Sequence, residues 1–101
     1  MEVATRNESQ QLELFLKGEL DHHGAIGLLN RLELEIEASV PRELVLDFSG
    51  VTFMDSAGIA VALRGWQRMR DIGGEVTLRN VAPQPKKVFE TSGICRILHM
   101  E

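Results

Sequence analysis

The chain is organised around the segment Val51-Thr52-Phe53-Met54-Asp55-Ser56-Ala57-Gly58-Ile59-Ala60. It follows an apolar run, Leu44 to Phe48, that is typical of a buried strand, and it opens a segment with helical periodicity. Asp55 and Ser56 are both residue types favoured at the N-cap, so a helix is predicted to begin at one of them. A helix start offers unpaired backbone N–H groups and the positive end of the macrodipole. The Ser56 hydroxyl can therefore serve as a cap or carry an anion, and the residues alone leave both readings open.

The composition indicates one globular domain over residues 1–101. A net charge of -4, with no basic block, argues against a nucleic-acid partner. We see no apolar run long enough to cross a membrane and no signal-peptide pattern at the N-terminus. The single cysteine, Cys95, excludes an internal disulfide and is expected to be a small buried apolar residue. These features predict a cytoplasmic protein without membrane partners.

Strand and helix patterns alternate along the chain, which indicates an α/β fold with parallel connections. The prediction is a mixed sheet of four to five strands with about three helices. Strands are predicted over 2–6, 11–17, 43–48, 75–79 and 94–100. Helices are predicted from Asp21, as N-cap, to just before Pro41, from about Ser56 to Asp71, and from Pro85 to near Gly93.

Two helical stripes are predicted to face the core. In the first helix the apolar spacing selects Ala25, Leu29, Leu32 and Ile36. A competing alternation over 32–37 resembles a strand, but the wider period and the good helix formers favour a helix. In the second helix the stripe runs through Ile59, Leu63, Trp66 and Met69 or Arg70.

Catalytic and metal-binding readings find little support. Ser56 with His22 or His23 and an aspartate could make a hydrolytic triad, but the residues around the serine do not form the G-x-S-x-G elbow. His22, His23, His99 and Cys95 show no metal-ligand spacing. Glycine-rich phosphate motifs are absent as well. One observation favours more than a cap at Ser56, because it follows the carboxyl end of a buried strand, where open α/β sheets place their ligands.

Four segments of the chain carry a family resemblance. The segments are Gly18-Glu19-Leu20-Asp21-His22-His23, the run from Leu46 to Ile59, Ile72-Gly73-Gly74-Glu75-Val76, and the run from Pro85 to Ile94. In this order they closely resemble the STAS domain of bacterial anti-sigma factor antagonists, and they look closest to the sporulation branch. The resemblance covers nearly the whole chain.

The resemblance implies a binding module and a kinase substrate rather than an enzyme, with no cofactor. In that family the serine corresponding to Ser56 is phosphorylated by the partner, an anti-sigma factor that is also an ATP-dependent serine kinase. The unphosphorylated antagonist binds the anti-sigma factor and releases the sigma factor, and a serine phosphatase resets the switch. An alternative is a STAS interaction module of another soluble signalling complex. A catalytic reading would require ester turnover that depends on Ser56.

The resemblance also suggests which residues contact the partner. They are expected to be Asp21, His22, Asp55, Ser56, Ala57, Gly58, Ile59, Ala60 and Arg64. A phosphate on Ser56 is expected to be received by the free N–H groups of Ala57, Gly58 and Ile59.

Two features depart from the family pattern. Ala57 stands where relatives often carry Ser or Thr, which leaves Ser56 as the only hydroxyl at this helix start. The family usually adds a helix after its last strand, whereas the sequence stops at His99-Met100-Glu101. We therefore expect some apolar sheet surface to be left uncovered.

Overall fold

Five strands form one mixed sheet, and three helices connect its parallel strands. The computed structural model describes all residues, 1–101. The strands are β1 (Glu2–Glu8), β2 (Gln11–Leu20), β3 (Glu43–Met54), β4 (Glu75–Arg79) and β5 (His99–Met100), and the helices are α1 (His22–Ser39), α2 (Ala57–Asp71) and α3 (Pro83–Ser92). The strands lie side by side in chain order, with β1 antiparallel to β2 and every other pair parallel. The predicted α/β fold, with four to five strands and about three helices, is confirmed.

One apolar core joins one face of the sheet to all three helices. Alternate strand residues such as Leu14, Leu46 and Leu78 are fully buried in the same cluster as Leu32 of α1. The rings of Phe48 in β3 and Phe89 in α3 pack edge to face with their centroids 5.3 Å apart. Successive strand residues point to opposite faces, and the core residues alternate along each strand, so they lie on one face of the sheet. The helices therefore cover this single face.

The opposite face of the sheet is polar at its centre. Glu13, Val45 and Thr77 are cross-strand neighbours there, and Arg79 lies 3.2 Å from the Glu13 carboxylate and 3.0 Å from that of Glu101. Val45 is 0% exposed although it lies outside the main core cluster. The expected uncovered apolar surface is therefore not found at this position, because ion-paired side chains occupy it.

Several strand boundaries differ from the predictions. β1 continues to Glu8, β2 to Leu20 and β3 to Met54, whereas the predicted strands end at 6, 17 and 48. The β2–β3 pairing continues through two register shifts up to the pair Leu20 and Met54. Polar residues are tolerated in these extensions because one face of each strand is open to solvent.

The helices are where the periodicity predicts them, but their buried faces are rotated. In α1 Leu28 is buried and Leu29 only partly so. In α2 the buried residues are Gly58, Val61, Ala62, Gly65 and Met69. Of the predicted stripe only Met69 is fully buried, whereas Ile59, Leu63 and Trp66 are half-buried and pack against the margin of the core. Small residues face inward because α2 packs close to its neighbours. Side-chain size, which hydrophobic periodicity does not register, therefore sets the rotation.

The C-terminal part differs most from the prediction. α3 begins at Pro83 rather than Pro85, and the predicted strand over 94–100 is instead a 3₁₀ turn, Ile94–Arg96, followed by the short β5. Ile94 and Leu98 point into the core, which leaves Cys95 exposed. The prediction of a buried Cys95 is therefore wrong, because a 3₁₀ turn presents only some of its residues to the core.

Candidate functional site

The sheet register brings the two halves of the predicted site together. Leu20 and Met54 are paired as the last residues of β2 and β3. The Asp55 N–H then donates to the Leu20 carbonyl oxygen at 3.3 Å. Both strands are parallel, so the residues that follow them emerge at the same edge of the sheet. Asp21 and His22 therefore lie beside the Asp55–Ser56 segment, which places two carboxylates near the serine.

Asp21 is the N-cap of α1, as predicted. Its Oδ1 accepts the Gly24 N–H at 2.8 Å. This hydrogen bond holds the pKa of the Asp21 carboxyl below its ordinary value, so the side chain is ionised at neutral pH. His22 follows as an exposed first helical residue.

At the start of α2 the capping role belongs to Asp55. Its Oδ1 accepts the Ala57 N–H at 2.8 Å. Ser56 occupies the N-cap position with helical dihedral angles, and its hydroxyl makes no capping hydrogen bond. Ser56 is also exposed. The sequence leaves two roles open for the Ser56 hydroxyl, helix cap or carrier of an anion. Asp55 supplies the cap, and the Ser56 hydroxyl is left free.

The first N–H groups of α2 are already engaged. Besides the Ala57 N–H, that of Gly58 donates to the Asp55 carbonyl oxygen at 3.1 Å and that of Ile59 to the Ser56 carbonyl oxygen at 3.1 Å. The expectation that these groups are free to receive a phosphate is wrong, because oxygen atoms of Asp55 and Ser56 already accept hydrogen bonds from all three. A phosphate on Ser56 would project into solvent beside the Asp55 and Asp21 carboxylates.

Gly58 has a packing role at the start of α2. It is buried, and a Cβ built on it would lie 2.2 Å from the Met54 sulfur, far closer than real contacts allow. Its expected contact with a partner is a separate matter and stays a prediction. Only glycine lets the fully buried Met54 side chain lie directly beneath the first turn of α2.

The exposed side of α2 adjoins a groove shared with α1. Ala60 and Arg64 are exposed, and Ala57 and Ile59 are partly so. The groove, about 420 Å³ in volume, is lined by Ile26, Leu29, Asn30, Glu33, Ala60 and Arg64. Arg64 Nε donates to Glu33 Oε1 at 2.7 Å, which lowers the pKa of Glu33 and ties the two helices together. Ile26, 55% exposed, is absent from the predicted site, although its position one helical turn after His22 could have indicated it.

Gln84 is a second residue that the sequence does not indicate. It lies near the start of α3, yet its Oε1 accepts the Met54 N–H at 2.9 Å and its Nε2 donates to the Met54 carbonyl oxygen at 2.8 Å. No local sequence pattern predicts a contact between residues thirty positions apart. A position between two prolines, Pro83 and Pro85, predicts only a helix start.

No three His, Cys, Asp or Glu side chains lie close enough together to hold a metal ion. None of the helices combines the length and the apolar character needed to cross a bilayer.

Comparisons with known proteins agree with the fold. Residues 2–101 match the family model of the STAS domain. The anti-sigma F factor antagonist of Lysinibacillus sphaericus is 31% identical over 94 residues, which is 93% of this chain and 78% of that protein. The unphosphorylated anti-sigma factor antagonist SpoIIAA superposes with a TM-score of 0.85 at 24% identity, over 99% of this chain and 88% of that one. The phosphorylated Bacillus SpoIIAA gives 0.76 at 24% identity, over 99% and 91%. The chain therefore belongs to the STAS-domain family, and its named relatives are anti-sigma factor antagonists.

Proposed function

We propose that this protein is an anti-sigma factor antagonist that is controlled by phosphorylation of Ser56. Unphosphorylated, it binds an anti-sigma factor serine kinase and thereby releases a sigma factor. Phosphorylated, it no longer binds productively, and a serine phosphatase restores it. The observation that carries the proposal is the exposed Ser56 hydroxyl, which makes no capping hydrogen bond at the start of a fixed helix. The name of the 31% identical relative supports the same role.

The physical basis of the switch is a local change of charge. A phosphate adds about -1.5 to -2 charge and three acceptor oxygens. At Ser56 it would stand next to two carboxylates, Asp55 and Asp21, with the nearest helical N–H groups already bonded. Like-charge repulsion directs the group outward, into the space that a partner would fill. The backbone needs no rearrangement for this, because the Asp55 cap stays intact.

The partner is proposed to lie across the edge of the sheet and the outer side of α2. We call this surface the switch surface, and it consists of Asp21, His22, Asp55, Ser56, Ala57, Ile59, Ala60 and Arg64. The neighbouring Ile26 adds apolar area at the groove between α1 and α2. Small residues around a central serine allow close approach, so an added phosphate would be felt strongly there.

Mass spectrometry after incubation with the partner kinase and ATP tests the assignment. We expect one phosphate on Ser56 in the wild type and none in Ser56→Ala, while Ser56→Ala still binds the anti-sigma factor. The Ala57 position offers no second hydroxyl, so the phosphate cannot move to the next residue. A wild-type protein that stays unmodified under these conditions would remove Ser56 from the proposal.

The second candidate is a STAS interaction module of another soluble signalling complex, in which no phosphate is needed. The salt bridge between Arg64 and Glu33 favours it to this extent, because it makes the α1–α2 surface a fixed platform suited to assembly. Pull-down from a cell lysate with and without prior phosphorylation separates the two. A partner lost on phosphorylation supports the switch, and a partner retained in both states supports the module.

We propose further that the chain is not an enzyme and that it acts in the cytoplasm on a sporulation sigma factor. The Asp55 carboxylate next to Ser56 accepts the Ala57 N–H, which supports a role as helix cap rather than as a catalytic partner. Ester turnover that disappears in Ser56→Ala would overturn the first part.

A further inference from the structure

We propose that Gln84 is a positioning residue that sets the place of Ser56 for its kinase. The inference rests on the proposed function, since it concerns how fast the kinase modifies Ser56. Gln84 lies on α3, outside the switch surface, and acts through the backbone of Met54. Nothing in the sequence pattern or in the family resemblance assigns it a role.

The contact is a two-point clamp on one residue. Gln84 accepts the Met54 N–H at 2.9 Å and donates to the Met54 carbonyl oxygen at 2.8 Å. These are the two main-chain bonds that a neighbouring strand would make. β4 does not supply them, because its pairing with β3 ends at Asp47 and Arg79. From Phe48 onward β3 is paired on one side only, and the Gln84 amide takes the place of the missing strand.

Gln84 is well placed to hold this geometry. It stands between Pro83 and Pro85 in the first turn of α3, and Pro85 is buried. Each proline ring fixes its own φ angle, so the backbone on either side of Gln84 has few alternatives. Phe89, further along α3, anchors the helix against Phe48.

Clamping Met54 fixes the switch serine two residues later. The Met54 side chain is locked under Gly58, and the next N–H, that of Asp55, is bonded to Leu20. The Asp55 carboxylate then caps α2. Ser56 is thus held through its neighbours, from β2 on one side and from α3 on the other. A displacement of about 1 Å in a reacting group can lower a rate roughly a hundredfold, so even partial loosening would be measurable.

The effect should fall on the rate of transfer and not on recognition. The switch surface does not include Gln84, so loss of the clamp leaves the groups that bind the kinase in place. In Gln84→Met, which keeps the length of the side chain but not its hydrogen bonds, we expect kcat for Ser56 phosphorylation to fall roughly tenfold with KM for the antagonist changed less than about twofold. Gln84→Glu can still accept the Met54 N–H but cannot donate when ionised, so its kcat should be intermediate.

Hydrogen exchange of the Met54 N–H provides a readout without a kinase. Because the clamp protects this group, exchange should be roughly tenfold faster in Gln84→Met and less accelerated in Gln84→Glu. Thr91→Ala is the matched control. Thr91 lines the same groove of about 380 Å³ between α2 and α3 as Gln84, but it makes no hydrogen bond to Met54.

The outcomes separate the alternatives. Wild-type kcat in Gln84→Met, with Met54 exchange accelerated, would make the clamp a stability feature only and overturn the proposal. An equal loss in Thr91→Ala would do the same, since it would mean that the kinase contacts the groove directly. If Gln84→Met fails to fold, Gln84→Glu decides by the same two measurements. A wild type that is not phosphorylated refutes the proposed function itself, a result distinct from any difference between variants.

Discussion

Two polar clusters flank β3, and they differ in how completely their hydrogen bonds are satisfied. On the open face of the sheet, Asp47 is 4% exposed and accepts hydrogen bonds from the Ser49 N–H and from Asn80, each at 2.9 Å. At the carboxyl edge, Ser56 is exposed and its hydroxyl makes no capping bond. The Asp47 carboxylate is hydrogen-bonded by groups of its own cluster, whereas the Ser56 hydroxyl stays available for a new bond. This difference supports the proposal that the edge of the sheet is the functional site and that the Asp47 cluster is a structural feature.

Electrostatics follow the same division. Burial acts to raise the pKa of Asp47, but the hydrogen bonds from Ser49 and Asn80 and the charge of Arg79 outweigh it, and the pKa is lowered. The Arg79 guanidinium has its pKa raised, chiefly by its hydrogen bond to Glu101. Both groups are therefore held in their charged forms, Asp47 by Ser49, Asn80 and Arg79, and Arg79 by Glu101 and Glu13. Ser56 lies at the same edge of the sheet as Asp21 and Asp55, whose carboxylates accept backbone N–H groups and form no salt bridge. We therefore expect an added negative charge at Ser56 to be repelled.

The largest effect is expected from a negative charge at Ser56, whose hydroxyl is available at the edge of the sheet. Ser56→Asp should bind the anti-sigma factor roughly 100- to 1000-fold more weakly than the wild type, which corresponds to about 3–4 kcal/mol. Ser56→Ala, the uncharged control, should bind within about threefold of the wild type. Isothermal titration calorimetry with the purified anti-sigma factor measures both. Equal affinities for the two variants would contradict the charge mechanism.

The second-largest effect tests how rigidly the residues around Ser56 are held. Gly58→Ala should lower the free energy of unfolding by about 1–3 kcal/mol, because the new methyl group meets the buried Met54 side chain. Gly27→Ala is the control, since Gly27 lies in α1 with no neighbouring atom within 4 Å of the place its Cβ would take, and it should stabilise by about 0.5–1 kcal/mol. Urea unfolding followed by circular dichroism gives both values. A Gly58→Ala protein as stable as Gly27→Ala would show that Met54 moves away freely.

The smallest effect concerns Asp47 and its hydrogen-bond partners, and it depends on pH. Asp47 has a folded-state pKa below its ordinary value of 3.8, so its ionised form stabilises the fold above that pH and the contribution is lost as the pH falls through the folded pKa. Asp47→Asn should therefore cost about 1–2 kcal/mol at pH 7, and the difference from the wild type should shrink below about pH 4.

Asp71→Asn, at an exposed aspartate that forms no salt bridge, serves as the control and should have little effect at either pH. Thermal unfolding from pH 2 to pH 7 checks this prediction. Asp47→Asn should also leave binding of the anti-sigma factor unchanged. Weakened binding in this variant would mean that the two clusters are coupled through β3.

Local patterns predicted the elements well and their contacts less well. The period of α1 outweighed the strand-like alternation over 32–37, and the helix is present. The same period gave a face of α2 that is displaced from the buried one, because Gly58, Ala62 and Gly65 carry little hydrophobicity although close packing turns them inward. The strand predicted over 94–100 failed for a related reason. Ile94 and Leu98 are both buried, but they are spaced by a 3₁₀ turn rather than by a pleat.

At the site, the residue types of Asp21, Asp55 and Ser56 were enough to indicate two helix starts at one edge of a sheet. Which of Asp55 and Ser56 would cap α2 was not decided by them, since both side chains can accept the same kind of bond. The structure assigns the bond to Asp55 and leaves the serine free.

Local sequence was enough to establish that β3 is buried, that a helix follows it, and that a lone hydroxyl stands at their junction. Apolar runs, caps and glycines act within a few residues of themselves, so these properties can be read along the chain. The contacts that hold the junction emerged from the folded chain alone: Gln84 of α3 and Leu20 of β2 fix it, and the N–H groups of α2 are already taken. Gln84 and Leu20 are far from the junction in sequence, and their geometry depends on how the strands align and how the helices pack.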